Sequence, residues 1–180
     1  MSYKILGLLL LLTSTAHADT KLGLVASMYY APTASCNWVG TASATLQAFT
    51  TTAACPGPTI EANGLIGSPQ TTDANLPQFT VNSLPAGKYK VTIVASVNVS
   101  GAIGDTALAI NDGTTTSGAV EFSATALGNN HIIVVTAVFT YSASGNKTFA
   151  LWSAGSATTT PNVANNSAAR TTHAYIERVK

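Results

Sequence analysis

The stretch from Leu84 to Gly118 constrains the fold more than any other part of this sequence. It opens with a Pro-Ala-Gly turn and continues from Lys88 to Asn98 as a run in which apolar residues alternate with mostly polar ones. A period of two with one apolar face predicts a half-buried antiparallel β-strand. A second strand-like segment, Thr106 to Ile110, ends at an Asn-Asp-Gly sequence, which is a strong turn signal. The stretch therefore predicts antiparallel β-structure.

The remaining segments extend this pattern. Further strand-like segments are residues 35–40, 44–49, 59–62, 78–81, 119–126, 147–152 and 171–179. His131 to Tyr141 is apolar on both faces, which predicts a strand covered on both sides, either central in a sandwich or at a subunit interface. Residues 64–77 and 155–167 are rich in turn-forming and polar residues and are predicted loops. Because no segment has a capped helical period, the predicted fold is an all-β antiparallel sandwich or jelly roll.

The N-terminus has the three parts of a secretory signal peptide. Lys4 supplies a positive charge, Ile5 to Leu12 forms an apolar run, and Ala16 to Ala18 is a small-residue cleavage site. The apolar run is too short to span a bilayer, which takes roughly 20 residues. We therefore expect residues 1–18 to be removed. The mature protein would begin at Asp19 and be secreted, held at the cell surface or periplasmic.

The composition excludes several classes of partner. Charged residues make up 8% of the chain, against about 25% in an average soluble domain. Loss of Lys4 with the signal peptide takes the formal net charge from +1 to 0. Without a basic excess, nucleic acid and anionic membranes are poor candidate partners. A neutral chain that is 46% apolar would gain solubility by burying part of its surface in an oligomer.

Two cysteines, Cys36 and Cys55, lie in the mature chain. In an oxidising compartment we expect them to form a disulfide. A closed loop of about 20 residues is worth roughly 3 kcal/mol in the chain-entropy model. The alternative is a pair of buried free thiols. A zinc site is not predicted, because only His131 and His173 remain as further ligands and each is isolated in a strand-like segment.

Several segments taken in order resemble a known family. The succession FTVNSLPAGKYKVTIVASV, TALAINDGTTTSG, HIIVVTAVFTYSASGNKTFALWSA and AYIERVK, preceded by CNW and CPGPT, resembles the C1q/TNF-like jelly-roll domains. It looks most like bacterial and phage versions at the tips of tail fibres and of trimeric fibre-like adhesins. The resemblance covers residues 35–180 and leaves residues 19–34 as an N-terminal arm or first strand. It implies a ten-stranded jelly roll that assembles as a homotrimer and, in most members, is not an enzyme.

The same resemblance implies where subunits would meet. It places Phe139, Tyr141, Phe149 and Tyr175 near the three-fold axis. The alternative is that these aromatic side chains form the core between the two sheets of one chain. The resembling domains follow a stalk, whereas this domain begins soon after the signal peptide. We therefore expect either a free trimer or the cap of an assembly whose shaft is another chain.

No arrangement of residues in the sequence predicts catalysis. There is no G-x-S-x-G elbow, and nothing pairs His131 or His173 with one of the many serines. The carboxylates Glu61, Glu121 and Glu177 show no spacing that predicts a glycosidase pair. Two aspartates, Asp105 and Asp112, are too few for calcium, which takes six to eight oxygens. We predict no enzyme activity, no cofactor and no metal site.

Recognition of another molecule is the better hypothesis. Trp152 precedes the predicted loop of residues 155–167 and could offer an aromatic platform. The loop carries Asn162, Asn165 and Asn166 as candidate ligand-binding residues. We predict an exported binding or adhesion module that recognises a surface protein, glycan or lipid through loops of a homotrimer. The alternatives are a secreted monomeric carbohydrate-binding module or glycan hydrolase and, less well supported, a structural subunit of a surface fibre.

Overall fold

A computed structural model of the chain describes residues 23–30, 37–51, 59–63, 69–70, 77–123, 127, 131–156, 159–164 and 172–180. The strands are β1 (Gly23–Tyr30), β2 (Asn37–Val39), β3 (Gln47–Ala48), β4 (Thr50–Thr51), β5 (Thr59–Asn63), β6 (Pro69–Gln70), β7 (Gln78–Leu84), β8 (Gly87–Gly101), β9 (Asp105–Asn111), β10 (Val120–Ser123), β11 (His131–Tyr141), β12 (Gly145–Gly155), β13 (Thr159–Ala164) and β14 (Thr172–Val179). The predicted signal peptide, Cys36 and Cys55 lie outside the described residues. Within the described ranges, no helix is long and apolar enough to cross a membrane.

The strands form two antiparallel sheets. The eight-stranded sheet has the order β4–β2–β13–β8–β14–β1–β5, with β11 paired to β8. The six-stranded sheet has the order β10–β9–β12–β7–β6, with β3 paired to β12. From β7 onward the chain passes repeatedly between the sheets, because β7, β9, β10 and β12 belong to one and β8, β11, β13 and β14 to the other. This is the connectivity of a jelly roll, so the predicted all-β, antiparallel jelly-roll fold is confirmed.

β8 lies in the middle of the eight-stranded sheet. Along one side it pairs with β11, and along the other it pairs first with β14 and then with β13. Alternate side chains from Tyr89 to Val99 are buried, as the period of two predicts. The preceding Pro85 and Ala86 carry the chain from β7 in one sheet to β8 in the other. The next residue is Gly87, where a Cβ atom would meet the Arg178 guanidinium at 3.1 Å.

A continuous hydrophobic core fills the space between the two sheets. Its largest fully buried side chains come from both sheets and from the short strands that flank them. They are Trp38, Phe49, Phe79, Leu84, Tyr89, Ile93, Leu108, Ile110, Phe149, Leu151 and Ile176. Two rings meet across the neighbouring strands β7 and β12, where Phe79 and Phe149 have centroids 5.4 Å apart.

The Asn-Asp-Gly sequence forms the predicted turn. The backbone N–H of Gly113 donates to Asn111 Oδ1 at 2.7 Å, and that of Thr115 donates to Asp112 Oδ1 at 2.6 Å. Gly113 has φ = 87°, a conformation that glycine adopts without steric cost. These side-chain bonds add to two backbone bonds at the bend, from Asp112 N–H to the Thr115 carbonyl and from Ser117 N–H to the Ile110 carbonyl. β10 then returns antiparallel to β9.

Both predicted loops contain a strand: the two-residue strand β6 lies within residues 64–77 and pairs with β7. Residues 155–167 were expected to be irregular, but β13 lies within them and pairs with both β8 and β2. Its sequence, Thr-Thr-Pro-Asn-Val-Ala, has the composition of a loop, and its strand conformation comes from the neighbours that pair with it. Pro161 pairs with Val99 but lies beyond the end of β2. The proline has no N–H to donate, but no residue of β2 lies opposite it, so no hydrogen bond between β13 and β2 is lost there.

Candidate functional site

β11 is the outermost described strand on its side of the eight-stranded sheet, since it pairs only with β8. The interpretation of residues 131–141 as a strand in the centre of a sandwich is therefore wrong for the single chain. The error has a clear origin: both faces of the strand are apolar, but only one faces the core. Val135, Ala137 and Phe139 are buried, whereas Ile132, Val134 and Val138 are 62%, 51% and 53% exposed.

The exposed side of β11 continues across two neighbouring strands. Antiparallel pairing aligns Val134 with Val94 and His173, Thr136 with Thr92 and Tyr175, and Val138 with Lys90 and Glu177. We call this surface the β11 face. It consists of Ile132, Val134, Thr136, Val138 and Thr140 on β11, Thr92, Val94 and Lys90 on β8, and His173, Tyr175 and Glu177 on β14.

The polar groups of the β11 face largely satisfy one another. The hydroxyl groups of Thr92 and Thr136 are hydrogen bonded at 3.2 Å. The Lys90 ammonium forms an ion pair with the Glu177 carboxylate of the same chain. Glu177 therefore pairs with Lys90 rather than with its neighbour Arg178. The ion pair leaves no net charge where Val138, Lys90 and Glu177 lie side by side. Contact of the neighbouring apolar residues with another protein surface would cost little desolvation free energy.

In the described part of the chain, no strand pairs with the outer backbone edge of β11. All eleven residues from His131 to Tyr141 pair with β8 in one continuous register, without a β-bulge. The strand contains neither proline nor lysine. Proteins usually protect an exposed edge with short strands, prolines, charges or bulges, because a long flat apolar edge recruits further chains. An eleven-residue edge without these devices is typical of a strand that is covered in an assembly.

The four aromatic residues predicted for the trimer interface lie in three different environments. Phe139 and Phe149 are buried in the core of one chain, 5% and 0% exposed, with ring centroids 5.6 Å apart. These two side chains therefore belong to the core between the two sheets of one chain, which is the alternative given above. They have almost no exposed surface that could contact a neighbouring subunit. Tyr175 lies on the β11 face, stacked against His173 with centroids 6.3 Å apart.

Tyr141 has a structural environment of its own. Its hydroxyl donates a hydrogen bond to Asp112 Oδ2 at 3.0 Å, and the Lys147 ammonium lies 4.3 Å from its ring centroid. Burial raises the pKa of Tyr141 well above its usual range, and the hydrogen bond to the Asp112 carboxylate and its charge raise it further. The residue therefore ties the end of β11 to the turn after β9.

The predicted ligand-binding residues do not form one described cluster. Trp152 is half-buried on the outer side of β12, where it pairs with Ala109 of β9 and Ala48 of β3. Asn162 lies on strand β13, and its side chain is not described. Asn165 and Asn166 lie outside the described residues. Their role in binding stays a prediction.

A second surface, on the six-stranded sheet, was not recognised in the sequence as a site. Asp105 and Glu121, taken separately as candidate carboxylates, lie on the same outer side of β9 and β10. Strand alternation within the β9–β10 hairpin could have indicated this. The register of the hairpin depends on the turn of residues 112–119. Because this turn is long, the sequence does not show which residues of β9 and β10 pair. Among the described residues, no three side chains of His, Cys, Asp or Glu are grouped as metal ligands.

Comparison with known proteins gives only distant similarities. No protein-family model and no curated protein matches the sequence. A solved structure titled "PRD1 vertex protein P5" aligns with 88% of this chain and 99% of its own, at 12% identity and a TM-score of 0.48. Another, titled "Structure of Eiger TNF from S. frugiperda", aligns with 89% of this chain and 94% of its own, at 9% identity and a TM-score of 0.49. The likeness is one of overall fold.

Proposed function

We propose that the protein is an exported, non-enzymatic binding or adhesion module that works as a homotrimer, with subunits packed through the β11 face. The single observation that carries this proposal is the exposed apolar row Ile132, Val134 and Val138 on an unprotected edge strand. Burying what remains exposed of each side chain would contribute on the order of 1 kcal/mol. We infer three subunits, rather than another number, from the resemblance of the sequence to C1q/TNF-like domains.

Charge supports the same surface as a contact between copies. A contact that buries an unpaired charge is costly, whereas an ion pair already formed within one chain can stay solvated at the rim. Lys90 and Glu177 form such a pair beside Val138. Apart from His173, the other residues of the β11 face are aliphatic or hydroxylated, as in the apolar core and polar rim of protein interfaces.

The β11 face is tested by size-exclusion chromatography with light scattering on the mature protein. Val134→Lys places an ammonium in the centre of the face, and we expect it to convert the trimer to a monomer. The matched control is Ile103→Lys, because Ile103 is 57% exposed in a loop outside the β11 face. The control should keep the wild-type mass. A trimer that survives Val134→Lys, or dissociates equally in both variants, would contradict the proposal.

Recognition of a surface ligand would use what the trimer leaves exposed, namely the loops and the outer side of the six-stranded sheet. Trp152 lies on that sheet, half-buried beside Ala109. A half-exposed tryptophan supplies a flat apolar surface for sugar or protein contacts. A glycan array probed with the mature trimer tests this directly. Binding that Trp152→Ala removes without a change in mass is expected, whereas hydrolysis of the bound glycan would overturn the non-enzymatic assignment.

A further inference from the structure

The outer side of the six-stranded sheet carries a groove of about 500 Å³. Its floor is made of small residues on two neighbouring strands, since Ala107 of β9 pairs with Ala154 of β12 and Gly155 follows. Ile103 and Ala44 line it from two loops. The groove is hollow because Ala107, Ala154 and Gly155 carry at most a methyl group.

Two carboxylates stand at the side of this groove. Glu121 pairs directly with Ala107, and Asp105 lies two residues earlier on the same side of β9. Diagonal neighbours on one side of an antiparallel pair lie about 7 Å apart, so one cation could approach both. A second hollow of about 270 Å³, which Phe122 and Ser123 also line, shares both carboxylates. The acidic pair therefore lies where the two hollows meet.

The carboxylates have no basic neighbour in the lining. Ser123 Oγ donates a hydrogen bond to Asp105, but none of the described lining residues is Lys, Arg or His. Strands β9 and β10 lie within a stretch of sequence, residues 91–146, that contains no Lys or Arg. Glu177 on the opposite sheet, by contrast, has Lys90 as its partner.

We propose that this groove binds a primary ammonium group carried on an aliphatic stem. The alanine floor and the Ile103 side chain would contact the methylene groups, while Asp105 and Glu121 would accept hydrogen bonds from the ammonium. The volume is in the range of small-ligand sites, roughly 300–1,000 Å³. Two sources share this chemistry: a lysine side chain displayed by a partner protein, and a free alkyl amine.

This site is separate from the proposed assembly surface. The groove is built from β9, β10 and β12 of the six-stranded sheet, whereas the β11 face belongs to the eight-stranded sheet. Val134→Lys should therefore leave amine binding unchanged even when it separates the subunits. Failure of the amine site and failure of the trimer are thus distinguishable in the same protein.

The test is an NMR titration of the mature protein with three probes: Nα-acetyl-lysine methylamide, its uncharged analogue Nα-acetyl-norleucine methylamide, and 1,5-diaminopentane. We expect saturable shifts at the amides of Ala107, Glu121 and Ala154 with the two amines and none with the norleucine analogue. Tighter binding of the lysine derivative would indicate a protein ligand, and tighter binding of the diamine a free amine. Equal shifts with lysine and norleucine probes, or no shifts at these amides, would overturn the proposal.

Variants separate a specific site from general attraction. Glu121→Gln and Asp105→Asn should each weaken amine binding by up to about fivefold, because each removes one charged acceptor from an exposed ion pair. Both side chains are exposed, so the variants should fold. Glu177→Gln removes the same charge from the opposite sheet and should leave the affinity unchanged. If all three variants weakened binding equally, the effect would be one of net charge, and the groove would not be the site.

Discussion

The two sides of strand β11 are both apolar, yet they do different things. Phe139 and Val135 point into the core and hold one chain together, while Val138 and Val134 lie on the opposite side of the strand, where about half of each side chain is exposed among the described residues. Neighbouring residues of one strand therefore contribute to two different free energies, that of folding and, in our proposal, that of assembly. Hydrophobicity alone does not say which of the two a residue serves.

The largest expected effect breaks the inner side. Phe139→Ala should lower the free energy of unfolding of the chain by about 3–5 kcal/mol, because it leaves a cavity beside Phe149 and removes an aromatic contact. Urea denaturation followed by tryptophan fluorescence measures the loss. If Phe139→Ala instead dissociated the oligomer without lowering the stability of the chain, the division between the two sides would be wrong.

A smaller effect tests the outer side at the neighbouring position. Val138→Thr keeps the volume of the side chain but adds a hydroxyl group, which costs about 1–3 kcal/mol per subunit if an assembly buries it unpaired. In the isolated chain the side chain is solvated, so the change in chain stability should stay within about 0.5 kcal/mol. Sedimentation equilibrium gives the association constant. An unchanged association constant would contradict burial of Val138 between subunits.

A third variant concerns the end of β11, where the strand is tied to the turn after β9. Tyr141→Phe removes the hydrogen bond to Asp112 and should cost about 1 kcal/mol of chain stability. Thermal denaturation of the variant beside wild type measures this. A loss above that of Phe139→Ala would mean that the tie to the turn, and not core packing, dominates at β11.

The same residue predicts the response to alkaline pH. The pKa of Tyr141 is raised in the folded chain by burial and by Asp112, and the pKa of Tyr89 is raised by burial against the opposing charge of Arg178. Above about pH 10 the unfolded chain loses phenolic protons that the folded chain keeps. The contribution of these two tyrosines to stability should therefore be constant below that pH, and stability should fall above it. Tyr141→Phe should flatten the fall, and an identical fall in the variant would contradict the assignment.

The smallest effect is expected from the ion pair on the outer side. Lys90 and Glu177 are both partly exposed, and exposed pairs contribute about 0–1 kcal/mol. Lys90→Met should therefore change the free energy of unfolding by less than about 1 kcal/mol in 0.15 M salt. Denaturation at two salt concentrations checks this, and a larger, salt-independent loss would show that the pair is effectively buried.

Much of the fold follows from local sequence, whereas the proposed assembly surface follows only in part. The period of two in β8 and the Asn-Asp-Gly turn predict their structures because the signal lies within a few residues. β13 was missed because its strand conformation depends on β8 and β2, which are distant in sequence. The apolar character of both sides of β11 was visible, but its edge position depends on the strand order.

The β11 face and the acidic groove also differ in how far local sequence predicts them. Ile132, Val134 and Val138 belong to one continuous segment, so their side of the strand could be predicted together. Asp105 and Glu121 are joined only by the register of the β9–β10 hairpin, and the alanine floor is completed by β12. No local pattern marks small residues as the floor of a groove until three strands are brought side by side.

The mass of the mature protein in solution tests the central claim most directly. Sedimentation velocity over a range of concentrations should give a single species with three times the mass of one chain, held together by the β11 face. Val134→Lys should sediment as one chain at every concentration. A wild-type protein that is monomeric throughout, with Val134 and Val138 left in solvent, would contradict the account.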